Sequence, residues 1–179
     1  MKQQITIVFY LCITVGFFGC GLFTKKGEDS TAYIPNAIKI GLAATPDLNF
    51  YNNQAHAVTV TFYELAKTDA FTRMLTSREG RSQLVIGTEF DKSVLSHRSL
   101  VLQPGEFREQ LLDREEGARY IAAVAGYYQD DPRQISIVYP IKIGTKTNFF
   151  WRNLGDAPQM IVNIRLSKDG IANQRTTKP

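Results

Sequence analysis

The stretch VTVTFYEL at residues 58–65 sets Val58, Val60 and Phe62 on one face of an extended chain and Thr59, Thr61 and Tyr63 on the other. An α-helix, whose faces recur about every 3.6 residues, cannot use a two-residue period, and the β-branched and aromatic content favours a pleated surface. IKIGLA repeats the pattern, with Ile38, Ile40 and Leu42 opposite Lys39 and Gly41. A sheet that is apolar on one face must bury that face against a second layer, so this alternation restricts the chain to a small set of β architectures.

The rest of the chain repeats the period. SLVLQPGEFREQLLD reads as a hairpin: a strand, a turn at Pro104 and Gly105, then a second run with Phe107, Glu109 and Leu111 opposite Arg108, Gln110 and Leu112. ARYIAAVAGYYQ is almost continuously apolar, as in a central strand covered on both faces, with a short buried helix as the alternative. ISIVYPIKIG, TNFFWRN and QMIVNIRLS supply further strands, and Pro140 points to an edge or a bulge. In the FFW run at 149–151, three adjacent bulky residues cannot all face one way, so at least one is expected in the core. TDAFTRMLTSREG is the exception: Phe71, Met74 and Leu75 recur at helical spacing, Thr68 or Asp69 can cap the start and Gly80 can end a helix that crosses between sheets. Seven or eight short strands with one or two short helices predict a mainly β chain, a two-sheet antiparallel β-sandwich.

The N-terminus carries a different instruction. One cation, Lys2, precedes the apolar run Ile5–Phe18, which is shorter than the roughly 20 residues of a spanning helix and has the dimensions of a secretory signal. No A-x-A cleavage site follows; the run stops at Gly19-Cys20, an arrangement that resembles a bacterial lipobox in which Cys20 becomes the acylated first residue. Phe17 and Phe18 stand where that pattern usually has Leu and Ala or Ser, and the alternative is a buried cysteine in an uncleaved anchor. Cys12 would leave with the signal and Cys20 would carry lipid, so the mature chain could form no disulfide and must be held by packing. GLFTKKGEDSTAY, residues 21–33, reads as a flexible tether. The expected organisation is a signal peptide over 1–19, a lipidated N-terminus and tether over 20–34, a sandwich domain over 35–168 and a tail over 169–179.

Catalytic chemistry finds little support. The chain has two histidines, His56 and His97, neither with a ligand partner at helical spacing, and no nucleophile elbow, phosphate loop or dinucleotide motif. The pairs Glu115-Glu116 and Asp130-Asp131 read as solvated turns. No metal, cofactor or enzymatic activity is expected. The net charge of +4 is spread along the chain without a basic block, which argues against nucleic acid as a partner. The loop TPDLNFYNNQAH, residues 45–56, places Leu48, Phe50 and Tyr51 among turn-forming residues. Aromatics there either anchor a partner or fold back to cover the end of the sandwich.

Several motifs, in order, carry a resemblance. The acylatable Cys20 and tether, a first strand running into Leu48-Asn49, VTVTFYEL with Tyr63 and Leu65, and DAF at 69–71 come first; LQPGE at 102–106, VAGYYQ and the pair Trp151-Arg152 follow. Together they resemble the TssJ (VasD-like) lipoproteins of type VI secretion systems. The resemblance implies a transthyretin-like sandwich, preceded by a lipoprotein signal peptide and tether and anchored on the periplasmic face of the outer membrane through lipid on Cys20. It implies as partner the periplasmic domain of TssM, the IcmF-like inner-membrane protein, with TssL reached indirectly. Gly21 after Cys20, rather than Asp, agrees with outer-membrane sorting. The resemblance also assigns partner contact to the loop between the first two strands, here Leu48, Asn49, Phe50, Tyr51, Asn52 and Asn53. FYNNQAH replaces the Gly/Pro-rich sequence that many members have after Leu-Asn. Two rival readings are a periplasmic chaperone or pilotin-like lipoprotein that takes an extended client along a sheet edge, and a lipid-anchored enzyme, which would need a pocket with converging polar groups.

Overall fold

The computed structural model describes residues 32–141 and 160–172. Cys20, most of the tether, the strand expected at TNFFWRN and the pair Trp151-Arg152 lie outside the described residues. Eight strands and three helices are present among the described residues: β1 (Ile34–Ala44), β2 (Val58–Leu65), α1 (Asp69–Leu75), α2 (Arg78–Ile86), β3 (Val94–Leu102), β4 (Phe107–Arg114), β5 (Tyr120–Ala125), α3 (Pro132–Ile135), β6 (Ser136–Pro140), β7 (Met160–Leu166) and β8 (Ile171–Ala172).

They form two four-stranded sheets, ordered β4-β1-β7-β8 and β3-β2-β5-β6. The inward residues of β1 (Ile38, Ile40, Leu42) and β7 (Val162, Ile164, Leu166) join Val58, Val60 and Phe62 of β2 and Ile121, Ala123 and Ala125 of β5 in one core. The expected sandwich is therefore the fold. One pairing departs from the antiparallel expectation: β1 and β7 run parallel, with Ile40 opposite Val162 and Leu42 opposite Ile164.

The hairpin expected at LQPGE is not formed, because the turn changes sheets. β3 pairs with β2, with Val58 opposite Leu102, whereas β4 pairs with β1, with Ala43 opposite Phe107. The turn closes through Glu106 N–H on the Gln103 carbonyl at 3.1 Å, and Gly105, at φ 75°, donates to the Thr45 carbonyl at the end of β1. Two alternating runs around a Pro-Gly turn fit either arrangement, and only the partners on each side choose.

The helical stretch is likewise redrawn. α1 and α2 are separate, and neither crosses between sheets, since β2 and β3 are neighbours in one sheet. Gly80 does not end a helix but sits in the first turn of α2, capped by the Ser77 hydroxyl at 3.0 Å. A Cβ at Gly80 would lie 2.1 Å from the Met74 carbonyl oxygen, so glycine there lets the two helices meet closely. The end of α2 falls at Gly87, at φ 86°. Both helices cover the face of β2 turned away from the core: Tyr63 donates to the Leu84 carbonyl and Thr61 to the Val85 carbonyl, each at 2.7 Å. Tyr63 also packs edge-on against Phe71 and Phe90, and burial pushes its pKa up to about 12. This second layer explains why nearly all of β2 is buried, polar positions included.

β5 is the interior strand expected from its continuous apolar run, and β6, which ends at Pro140, is an edge among the described residues. β8 lies within the stretch read as a tail: Ser167 N–H bonds to the Gly170 carbonyl at 2.9 Å, and Leu166 pairs with Ile171. No helix among the described residues is long and apolar enough to cross a membrane.

Candidate functional site

The loop between β1 and β2 closes one end of the sandwich. Its entry continues the sheet, with Thr45 N–H on the Leu166 carbonyl at 2.9 Å, and Leu48 N–H then returns to the Thr45 carbonyl at 3.1 Å. Asn49 and Phe50 donate to the carbonyls of Ser167 and Lys168 in the β7–β8 turn at 3.4 and 3.3 Å. At the tip, Tyr51 and Gln54 exchange both backbone bonds at 3.0 Å. Between them Asn52 and Asn53 hold φ of 49° and 61°, the double left-handed pair of a type I′ turn, which Asn tolerates better than other residues with a Cβ.

Side chains brace the same loop. Tyr51 stacks on His56, with ring centroids 3.8 Å apart, and on Tyr128 at 4.3 Å. The Asn49 Oδ1 accepts the backbone N–H of Tyr128 at 2.9 Å, and Lys168 Nζ lies 5.4 Å over the Phe50 ring. His56 N–H returns to the Leu48 carbonyl at 3.0 Å. The loop is thus pinned to the β7–β8 turn and to the segment after β5.

This geometry divides the six residues expected to contact a partner. Leu48 is fully buried in the core and Asn49 is 6% exposed, so these two do not present side chains to a partner as expected. The reason is that the chain must turn over the end of the sandwich, where Leu48 plugs the core and Asn49 spends its amide oxygen on Tyr128. Phe50 and Tyr51 are half-buried, and Asn52 and Asn53 are exposed at the tip. Tyr128 and Lys168 join the site without having been expected there, and His56, the last residue of the expected loop, supports it from within through its stack on Tyr51. Tyr128, 68% exposed, forms the outer ring of the stack. In the sequence it appears only within the VAGYYQ motif after β5, and its approach to Tyr51 is a tertiary fact.

Elsewhere several titratable groups have structural partners. Asp130 pairs with Arg81 at 2.6 Å, and Asp131 caps α3 through the Arg133 N–H at 3.0 Å. Glu64, buried between the sheets, accepts from the Ser96 hydroxyl at 2.9 Å and the Glu115 N–H at 2.8 Å, and burial raises its pKa. Its position in register with Val58, Val60 and Phe62 marks it in the sequence as an inward carboxyl. It lines a cavity of about 300 Å³ with His97, Arg98 and Asp113. Among the described residues no group of His, Cys, Asp and Glu could hold a metal ion.

A family model described as type VI secretion lipoprotein (T6SS-SciN; VasD, EvfM, TssJ) matches residues 36–168. Among solved structures, the chain is similar to the T6SS lipoprotein TssJ1 from Pseudomonas aeruginosa, at 23% identity and TM-score 0.57, over 81% of this chain and 99% of that one. It is similar to Serratia marcescens Lip, described as a membrane-bound component of the type VI secretion system, at 18% identity and TM-score 0.59, over 78% and 98%. A structure described as the TssM C-terminal domain from EAEC matches at 15% identity and TM-score 0.53, over 75% and 94%. At these identities the structural likenesses show the fold alone. No curated protein sequence matches the chain. The family match runs from within β1 to just past β7, and the chain belongs to the type VI secretion lipoprotein family of VasD, EvfM and TssJ.

Proposed function

We propose that this chain is the outer-membrane lipoprotein of a type VI secretion membrane complex, held by lipid on Cys20 and binding the periplasmic domain of TssM. TssL joins it indirectly through that complex. Supporting the reading are the family match and the Gly19-Cys20 boundary behind an apolar run. The observation that carries it is the braced loop at 45–56. A type I′ tip with exposed Asn52 and Asn53, backed by stacked Tyr51, His56 and Tyr128, is a preorganised contact surface that loses little entropy on binding. The family is one of secretion lipoproteins rather than enzymes, and the titratable groups described above serve the fold.

The chaperone-like alternative needs a free strand edge. Among the described residues the β6 edge is five residues long and ends at Pro140, the β3 edge carries His97 and Arg98, and the β4 edge carries Arg108, Glu109 and Asp113, features that discourage strand addition. The test is co-purification of the full-length lipoprotein in detergent with the TssM periplasmic domain, for wild type and for Asn52→Gly/Asn53→Gly, which keeps the backbone accessible while removing both side chains. Capture by wild type and a clear loss in the variant are expected. Equal capture by both would move the interface off the loop.

A further inference from the structure

The outer face of the β4-β1-β7-β8 sheet carries a trough that begins where the loop begins. Cross-strand register builds it in rows. Phe107, Ala43 and Arg165 stand side by side on β4, β1 and β7, and Glu109, Gly41 and Asn163 form the next row. Ala43 makes an open floor between Phe107 and Arg165, the Asn163 side chain lies over Gly41 in the next row, and the row Leu111, Lys39, Ile161 closes the far end. Phe107 is 67% exposed, Ile161 61% and Leu111 47%, so one sheet face displays three large apolar side chains. Scattered single exposed apolar residues need no account, but three on one face around a groove do.

Near the loop the cations Arg165 and Lys168 outnumber the one described carboxylate, Asp47. Glu109 is tied to Lys39 at 2.7 Å, and Glu106 to Arg108. Among the described residues Arg165 has no ion pair, and it lines both the groove of about 410 Å³ beside Phe107 and the adjoining depression of about 800 Å³ that holds Lys168 and Asp47. Thr45 and Pro46, the first residues of the loop, line both concavities, so the trough and the loop form one continuous surface. The Thr45 hydroxyl is buried there without a hydrogen-bond partner.

We infer that this trough is a second docking surface, which takes a segment of the protein bound by the loop in which an apolar side chain and a carboxylate lie close together. The apolar group packs on Ala43 against Phe107, and the carboxylate meets the Arg165 guanidinium, whose planar fork suits it. The inference rests on the function proposed above and extends that interface from the tip of the loop onto the sheet.

The experiment measures the affinity of the full-length lipoprotein in detergent for the TssM periplasmic domain, in wild type, Phe107→Ser, Arg165→Glu and the loop variant Asn52→Gly/Asn53→Gly. Both trough positions are exposed, so folding is preserved, which an unchanged melting temperature verifies. Arg165→Glu is expected to weaken binding at least about tenfold and to steepen that loss at low salt, with a smaller loss for Phe107→Ser. Affinity unchanged in both trough variants but lost in the loop variant overturns the trough and leaves the loop reading intact. No binding by the wild-type chain overturns both. If the trough variants instead change only self-association in sedimentation, or only retention on phosphatidylethanolamine–phosphatidylglycerol vesicles, the occupant is a second copy or the lipid surface and the inference is wrong.

Discussion

The amide oxygen of Asn49 accepts the backbone N–H of Tyr128 at 2.9 Å, joining the loop after β1 to the segment after β5 across 79 residues of sequence. Asn49 is itself buried and held at φ 46°. Asn49→Ala removes the acceptor, leaves a donor unpaired and forces an alanine into the left-handed region. The expected loss is about 1–3 kcal/mol from the unpaired group and about 1 kcal/mol more from strain. Asn49→Asp keeps the acceptor and tolerates the backbone, so its loss should be much smaller in urea denaturation. Equal losses for the two would mean that this hydrogen bond does not hold the loop.

Phe50 and Tyr51 are expected to serve binding more than stability. Tyr51 gives up two stacking contacts on truncation, worth about 0.5–1.5 kcal/mol each, whereas Leu48→Ala empties a fully buried site at about 2–5 kcal/mol. The double variant Phe50→Ala, Tyr51→Ala should therefore melt above Leu48→Ala yet bind TssM roughly 30-fold more weakly than wild type. Calorimetry and affinity on the same preparation decide it, and the reverse order of melting would assign the rings to the core.

Cys20→Ser should abolish lipid labelling and release the protein from the outer-membrane fraction. A chain without residues 1–20 should fold and ignore reductant, because no cysteine remains. Retention of the serine variant in the membrane fraction would refute acylation at Cys20.

Glu64 predicts a pH dependence with a definite sign. Burial raises its folded pKa above the ordinary value of 4.5, so its contribution to stability is complete below about that pH and is lost as pH rises through the folded value. Glu64→Gln can still accept from Glu115 N–H and donate to the Ser96 hydroxyl, so the variant should fold without this loss. Asp113 acts in the opposite sense: bonds from the Tyr33 hydroxyl and the Asn36 N–H lower its pKa, and its contribution fades as pH falls. It is common to both proteins and cancels. The stability difference between variant and wild type should grow with pH from about 4 to 8, and a flat difference would sink the assignment.

Alternation and turn chemistry were enough to read the sandwich, an edge or bulge at Pro140 and the interior strand at YIAAVA, because each is a local pattern that one strand carries by itself. The ordered motifs were enough to place the chain in its family. Other features were decided only when strands met. LQPGE turns between sheets because Leu102 finds β2 while Phe107 finds β1, a choice no residue in the turn encodes. Gly80 looks like a helix end in sequence, but the close approach of Met74 makes it a contact point between two helices. Leu48 and Tyr51 share a turn-rich stretch and the same apolar character. Yet one plugs the core and the other stacks between His56 and Tyr128, because burial depends on what lies above each residue, and that is a property of the packed chain.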